Sequence, residues 1–208
     1  PMANARTVGL DGLFRPRSVA VIGASRRAGS IGRQVVANLI QGNAADNRLD
    51  GGGGEARLLG GAGNDTYAVD HAADEVVEDD GAGTDTVVAG IGWRLGDNLE
   101  NLVLTGADDL QATGNTLANQ ITGNAGANLI DGGTGADRMA GAAGDDIYIV
   151  DHANDQVVEV AGDGIDLVRA SVSHVLASQV EKLELTGAAS INGSGNALAN
   201  TITGNSGN

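Results

Sequence analysis

Large apolar side chains recur every nine residues in the middle of the chain, a period that fits neither an α-helix nor a continuous strand. They stand at the eighth place of four consecutive nonapeptides running from Gly114 to Ile149, and they are Ile121, Ile130, Met139 and Tyr148. One buried side chain in nine predicts a three-residue strand, with its central side chain inside, after a turn of six residues. Such units bury their apolar face only by stacking, so the pattern predicts a parallel β-solenoid.

The turn half of each nonapeptide has its own chemistry. Every unit opens on Gly, which tolerates positive φ and close backbone approach, and carries Asn or Asp at its sixth place. The pattern is G-G-x-G-x-D-x-U-x, in which U is a large apolar residue. Turn carbonyls and an Asp carboxylate supply the hard oxygen ligands that Ca²⁺ binds at roughly 2.3–2.6 Å. The pattern therefore predicts calcium in the turns.

These repeats resemble those of hemolysin-type (repeats-in-toxin, RTX) calcium-binding proteins, and the resemblance covers about residues 43–208. It implies a right-handed parallel β-roll with two nonapeptides per coil, calcium as the bound ion, and export from a Gram-negative cell by a one-step, type I secretion system. Some units depart from the pattern. Ala56 stands where Asp is expected, and several sixth places carry neutral Asn, which predicts weak sites there.

Two nonapeptides per coil place ligands on the same side of the roll two nonapeptides apart in the sequence. The predicted metal-ligand pairs are Asn47 with Asp65, Asn119 with Asp137, and Asn128 with Asp146. Stacked strands lie about 4.8 Å apart, roughly twice a calcium–oxygen bond, so a cation fits between coils. A solenoid that binds no metal stays open as an alternative, and so does a flexible linker rich in Gly, Asn and Asp.

A second, 81-residue repeat runs without insertion or deletion from Gly61 to Asn208. The matching segments are Gly63–His71 with Gly144–His152, Glu100–Gly106 with Glu181–Gly187, and Asn119–Asn124 with Asn200–Asn205. Because this long repeat equals nine nonapeptides, the chain between the Gly-rich runs can keep the coil register. We therefore expect those segments to belong to the solenoid.

The segments between the Gly-rich runs read as short strands separated by turns. The predicted strands are Tyr67–Val69, Glu75–Glu78, Asp85–Val88 and Leu99–Leu104, with equivalents one long repeat later. Four acidic residues here are candidate ligands, although turn residues bonded to their own backbone are the favoured interpretation; they are Asp70, Asp85, Asp151 and Asp166. His71 and His152 recur with the repeat, and we expect them to be solvated rather than metal-bound.

The N-terminal segment has a different character. Val19–Ile22 predicts a buried strand, Gly23–Gly32 a glycine-rich turn, and Ile31–Ile40 a helix, which together can cradle a phosphate. The stretch F-R-P-R-S-V-A-V-I-G-A-S resembles the opening of the CoA-binding domain of nucleoside-diphosphate-forming acyl-CoA synthetases. The resemblance implies that the phosphate loop is lined by Ser25, Arg26, Arg27, Gly29, Ser30 and Gly32.

One βα unit is too little for a working nucleotide-binding sheet, which needs several parallel strands. We therefore expect residues 1–42 to be a truncated fragment without useful CoA affinity, followed by the roll at 43–208. In an alternative register, Ala37–Ile40 aligns with Ala118–Ile121, which would make this segment the first coil of the roll.

Charge is distributed unevenly along the chain. Residues 1–42 hold 6 Arg and 1 Asp, giving +5, whereas the remaining 6 basic and 26 acidic residues give −20. The acidic part is not expected to bind nucleic acid or an anionic membrane without a screening cation. The absence of Cys excludes disulfides and thiolate metal sites. Apolar runs fall short of the ~18 residues of a membrane span, and the run Val19–Ile22 is too short for a cleavable signal peptide.

These observations predict an all-β, right-handed parallel β-roll, or β-solenoid, preceded by a short βα fragment. The predicted function is a calcium-binding module, not an enzyme, that folds on binding calcium outside the cell and serves secretion or a cell-surface or matrix role. Two alternatives from other classes stay open. One is a CoA-binding fragment of an acyl-CoA synthetase-like enzyme, and the other is a metal-independent adhesive solenoid.

Overall fold

The computed structural model describes residues 38–162 and 164–207, and the regular elements within them are β-strands of two to four residues. In chain order these are β1 Asn38–Gln41, β2 Arg48–Asp50, β3 Ala56–Leu59, β4 Thr66–Val69, β5 Glu75–Val77, β6 Thr86–Ala89, β7 Trp93–Arg94, β8 Asn101–Leu104, β9 Gln111–Thr113, β10 Gln120–Thr122, β11 Leu129–Asp131, β12 Arg138–Ala140, β13 Ile147–Val150, β14 Gln156–Val158, β15 Leu167–Ala170, β16 His174–Val175, β17 Lys182–Leu185, β18 Gly193–Ser194 and β19 Thr201–Thr203. Among these residues no helix is long and apolar enough to cross a bilayer.

Successive strands of the central part alternate between two parallel seven-stranded sheets. One sheet has the order β14-β12-β10-β8-β6-β4-β2 and the other β19-β17-β15-β13-β11-β9-β7. Short sheets β1-β3-β5 and β16-β18 extend the stack. Each coil therefore consists of two strands and two turns, and the predicted all-β parallel β-roll is confirmed.

The core is a column of side chains between the strands. Along the four-residue strands, buried and half-buried residues alternate, as one inward face requires. The eighth-place residues Ile121, Ile130, Met139 and Tyr148 are all fully buried. Ile121 is in register with Met139, and Ile130 with Tyr148, so the nine-residue period places its apolar residues in two stacked rows.

Coils outside the nonapeptide run have unequal lengths that compensate one another. The register aligns Tyr67, Val87, Leu102 and Ile121 in one row. Hydrogen bonds between these neighbouring coils link positions that are 20, 15 and 19 apart in the sequence. Together the three coils have the length of three regular coils of two nonapeptides, so they return the chain to the nonapeptide register. The same steps recur from Tyr148.

The 81-residue repeat corresponds to four and a half coils. Tyr67 in β4 lies in one seven-stranded sheet, and its equivalent Tyr148 in β13 lies in the other. The two copies of the repeat are therefore presented on opposite sheets, where each forms the same local turn structure.

The helix predicted over Ile31–Ile40 is wrong where it can be observed. Residues 38–41 form β1, which pairs in parallel with β3. Ile40 is buried while Leu39 is 59 % exposed, which is the alternation of a strand and agrees with the alternative register. The ladder to β3 satisfies the backbone that a helix would otherwise pair internally. The rest of this helix, the predicted strand Val19–Ile22 and the glycine-rich turn lie outside the described residues.

Candidate metal centre

The carboxylates at the sixth place of the motif are buried inside the turns. Asp65, Asp137 and Asp146 are each 1 % exposed. One oxygen of each accepts a hydrogen bond from the backbone N–H of the residue two nonapeptides earlier, which is the partner that the sequence predicts. The bonds run from Asn47 to Asp65 (2.6 Å), from Asn119 to Asp137 (2.7 Å) and from Asn128 to Asp146 (2.6 Å). The predicted pairs therefore meet, with the carboxylate of one coil bonded to the backbone of the coil before it.

The second carboxylate oxygen, Oδ2, of Asp65 and of Asp137 is buried and has no hydrogen-bond partner. Burial is the main reason why the pKa of Asp137 rises to about 6, and it also raises the pKa of Asp65. An ionised oxygen buried without a partner is strongly unfavourable, and a cation or a proton removes that penalty. These residues therefore fit a hard cation such as Ca²⁺.

Where Asn replaces Asp at the sixth place, its side-chain amide makes hydrogen bonds that a carboxylate cannot make. Oδ1 of Asn119 accepts the Asn115 backbone N–H at 2.8 Å, and its Nδ2 donates to the carbonyls of Leu99 and Glu100 at 2.9 and 3.2 Å. Nδ2 of Asn115 donates to the carbonyls of Gly96 and Leu99 at 2.6 and 2.8 Å. Amide groups thus satisfy backbone carbonyls that would otherwise be available to a cation.

The other two asparagines predicted as ligands also use their oxygens within their own turns. Oδ1 of Asn128 accepts the Asn124 backbone N–H at 2.8 Å, and its Nδ2 donates to the Asn124 side chain at 2.9 Å. Oδ1 of Asn47 accepts the Asn43 backbone N–H at 2.6 Å. A ligand role for Asn47, Asn119 and Asn128 stays a prediction, and these contacts show what a calcium ion would have to replace.

Glycines make the turn of Asp137 possible for two separate reasons. Gly133 and Gly135 have φ of 78° and 144°, a region that L-residues with side chains rarely adopt. Gly132, at the first place, has no side chain, and a Cβ there would overlap the Asp137 carboxylate. The first glycine therefore leaves the space that the sixth-place side chain fills.

Asp85 and Asp166 occupy the same kind of position as the motif aspartates. Oδ1 of Asp85 accepts the Asp65 backbone N–H at 2.7 Å, and Oδ1 of Asp166 accepts that of Asp146 at 2.9 Å. Oδ2 of Asp85 has no hydrogen-bond partner, although the residue is fully buried. Each carboxylate thus accepts a backbone N–H from the preceding coil. The favoured interpretation, in which these aspartates bond the backbone of their own turn, does not include this contact between coils.

The remaining candidates are exposed turn residues. Asp70 and Asp151 are solvent-exposed, and their backbone N–H groups donate to Asp74 and Asp155. His71 and His152 are exposed as well, and each accepts a backbone N–H on Nδ1 from two residues further on.

Two glutamates that no sequence motif singles out complete clusters of three acidic side chains. The clusters are Asp65, Glu78 and Asp85, and one long repeat later Asp146, Glu159 and Asp166. In each cluster one carboxylate oxygen per residue lies within 4.8 Å of the others. The recurrence of Glu78 as Glu159 at the 81-residue period is visible in the sequence, but the strand pattern assigns Glu78 only to the end of a strand.

Comparison with known families agrees with this geometry. The RTX calcium-binding nonapeptide repeat matches the chain in four copies, over residues 37–67 and 113–148. No curated protein and no solved structure is significantly similar to the chain. The fold and the turns define a β-roll that carries a calcium-binding repeat. The two matched segments carry the repeat of hemolysin-type calcium-binding proteins, as the sequence predicts, and calcium is the ion that such repeats bind.

The predicted CoA-phosphate loop lies outside the described residues. It comprises Ser25, Arg26, Arg27, Gly29, Ser30 and Gly32. The resemblance to acyl-CoA synthetases therefore stays a prediction, as does the expectation that this segment binds no CoA.

Proposed function

We propose that the roll is a calcium-triggered folding module that is exported unfolded and becomes stable outside the cell. The observation that carries this proposal is the pair of buried Oδ2 atoms of Asp65 and Asp137, which have no hydrogen-bond partner. Without a cation, folding must bury these charges or protonate them, and either opposes folding near neutral pH. With calcium, the same oxygens become ligands and their burial stabilises the roll.

Net charge acts in the same direction. The chain after residue 42 carries −20, which opposes compaction when no cation is bound. Cytosolic calcium is too dilute to fill weak sites, whereas millimolar external calcium stabilises any fold whose sites have a lower Kd. Type I secretion machinery fits such a chain, since it exports unfolded polypeptide. The module would then serve secretion itself or a cell-surface or matrix role, and it needs no catalytic step.

A metal-independent solenoid is the second candidate, and the asparagine turns favour it. Asn115 and Asn119 fill their turn with amide hydrogen bonds, which require no cation. These turns are expected to form before calcium binds, while the turns that contain buried aspartates form afterwards. The two candidates therefore differ in whether the aspartate turns depend on metal.

A calcium titration of the full chain followed by far-ultraviolet circular dichroism tests the proposal. The β-signal should grow with calcium and return to its starting value on chelation. Magnesium should be a poor substitute, because it requires near-octahedral geometry with bonds of about 2.0–2.1 Å. A spectrum and a melting temperature that do not differ between chelator and excess calcium would favour the metal-independent solenoid.

A further inference from the structure

Glu78 is a buried carboxylate with no partner. It is 7 % exposed, and neither Oε1 nor Oε2 accepts a hydrogen bond. It begins the turn that ends at Asp85, whereas Asp65 ends the neighbouring turn one coil earlier. In both aspartates Oδ1 accepts a backbone N–H from the coil before, and Oδ2 has no hydrogen-bond partner. Three buried side chains therefore each retain acceptor capacity that the protein does not use.

The carboxylate oxygens that have no hydrogen-bond partner converge on one space, next to Gly60. Carboxylate oxygens of Asp65, Glu78 and Asp85 lie within 4.8 Å of one another. A Cβ added to Gly60 would overlap Asp65 Oδ2, Glu78 Oε1 and the Tyr67 hydroxyl together. Gly60 thus leaves the room in which these oxygens converge, and the hydroxyl of the fully buried Tyr67 is placed beside them.

Nothing among the ion pairs of the described chain neutralises Glu78. The two ion pairs are Arg57 with Glu75 and Arg169 with Glu184, which are formed by largely exposed side chains. Burial, together with the charges of Asp85 and Asp65, raises the pKa of Glu78 to about 7. Without metal, Glu78 is therefore only about half ionised at neutral pH, whereas a divalent cation would favour the ionised cluster and neutralise two of its charges.

The second copy of the repeat rebuilds this cluster on the opposite sheet. Asp146, Glu159 and Asp166 converge within the same 4.8 Å limit, and Glu159 is 9 % exposed. Tyr148 takes the place of Tyr67, and its hydroxyl donates to Glu159 Oε1. A Cβ on Gly141 would overlap the Asp146 carboxylate and the Tyr148 hydroxyl. The arrangement is therefore a property of the repeat and not an accident of one turn.

We propose that these two clusters are calcium sites of a second kind, each holding one Ca²⁺ through three carboxylates, from Asp65, Glu78 and Asp85 and from Asp146, Glu159 and Asp166. Carboxylate oxygens that lie within 4.8 Å of one another are close enough to share one ion at the calcium–oxygen distance of about 2.3–2.6 Å. The glutamates and the last aspartates lie outside the segments that match the nonapeptide repeat. The sites thus extend calcium binding into the irregular coils that join the nonapeptide runs.

This inference rests on the proposed calcium dependence of the roll, to which it adds two bound calcium ions. The alternative is that a proton takes the place of the metal in each cluster, so that Glu78 and Glu159 are neutral and lie against the tyrosine hydroxyls. This alternative predicts no calcium at these positions, while the turn of Asp137 would still bind it.

The test is binding of calcium and of terbium to the full chain and to a Glu78→Gln/Glu159→Gln variant. Terbium takes the place of calcium at oxygen sites, and its emission is sensitised by a nearby tyrosine ring. Tyr67 and Tyr148 are the only two tyrosines of the chain, and one lies in each cluster. The matched control is Asp80→Asn/Asp97→Asn, which removes the same charge at exposed positions.

The variant should lose two bound calcium ions per chain by calorimetry and most of the tyrosine-sensitised terbium emission, while the control keeps both. In chelator the variant should melt no lower than the parent, because Gln removes a buried charge and keeps the shape. Equal calcium stoichiometry and equal emission in parent and variant would overturn the three-carboxylate sites and leave the proposed function intact. A parent chain that binds no calcium at all would instead overturn both.

Discussion

The carboxylate of Glu78 occupies the space that Gly60 leaves open in the coil before it. β3 and β5 pair with Leu59 opposite Val77, so Gly60 and Glu78 follow at equivalent places of neighbouring coils. A Cβ on Gly60 would overlap Glu78 Oε1. A glycine at the first place of one turn thereby makes room for an acidic side chain at the first place of the next.

Gly60→Ala is expected to destabilise the roll and to weaken calcium binding. The added methyl group would overlap Asp65 Oδ2, Glu78 Oε1 and the Tyr67 hydroxyl, so the site must distort. Overpacking of this kind typically costs about 1–3 kcal/mol in the free energy of unfolding. Denaturant unfolding with and without calcium measures both effects.

Gly53→Ala is the matched control, because a Cβ there meets no atom within 4 Å. It should leave stability and calcium affinity close to those of the parent. If Gly60→Ala behaved like Gly53→Ala, the space above Glu78 would have no part in metal binding.

Asn119→Asp is expected to lose hydrogen bonds and to make the stability of the roll more dependent on calcium. The amide of Asn119 donates to two backbone carbonyls, and a carboxylate cannot donate. In chelator, the loss of these bonds should lower the free energy of unfolding by about 1–3 kcal/mol. In calcium, the new carboxylate and the released carbonyls should bind a cation, so calcium should stabilise the variant more than it stabilises the parent.

Asn154→Asp, at an exposed position, adds the same charge and controls for it. Thermal melts of both variants in chelator and in calcium provide the comparison. If calcium stabilised Asn119→Asp no more than Asn154→Asp, the Asn119 amide would not occupy the place of a cation in this turn.

The nonapeptide pattern predicts the parts of the structure that depend on strict periodicity. The burial of Ile121 and Met139 and the contact between Asn119 and Asp137 follow from periods of one and two nonapeptides. The unequal coils, whose hydrogen bonds span 20, 15 and 19 positions, could not be predicted, because only their combined length is fixed by the register. The sequence does not identify Glu78 as a site residue for the same reason. Its position next to Gly60 of the preceding coil depends on coil lengths that no local pattern specifies.

Stability of the metal-free roll is expected to fall as the pH rises from about 4.5 to about 8. Burial raises the pKa of Glu78 from 4.5 to about 7 and that of Glu159 to about 8. The charges that face them, Asp85 and Asp65 in one cluster and Asp166 and Asp146 in the other, act in the same direction. The folded state thus binds more protons than the unfolded state, so the stability from these groups is complete below pH 4.5 and is lost as the pH rises through about 7 to 8.

Melting temperatures measured in chelator across this pH range test the prediction. Glu78→Gln/Glu159→Gln should flatten the decline, because Gln does not titrate. Saturating calcium should also remove it, because bound metal favours the ionised carboxylates. A decline of equal slope in parent and variant would assign the pH dependence to other groups.

A crystal structure of the full chain grown in calcium, with anomalous difference density, would show directly whether the buried carboxylates hold calcium. We expect an ordered roll with calcium peaks about 2.3–2.6 Å from Asp137 Oδ2 and from Asp65 Oδ2. In the same map, Glu78 and Asp85 should bind the ion held by Asp65. An ordered roll without a peak at these carboxylates, in crystals grown at millimolar calcium, would show that the buried carboxylates do not bind calcium.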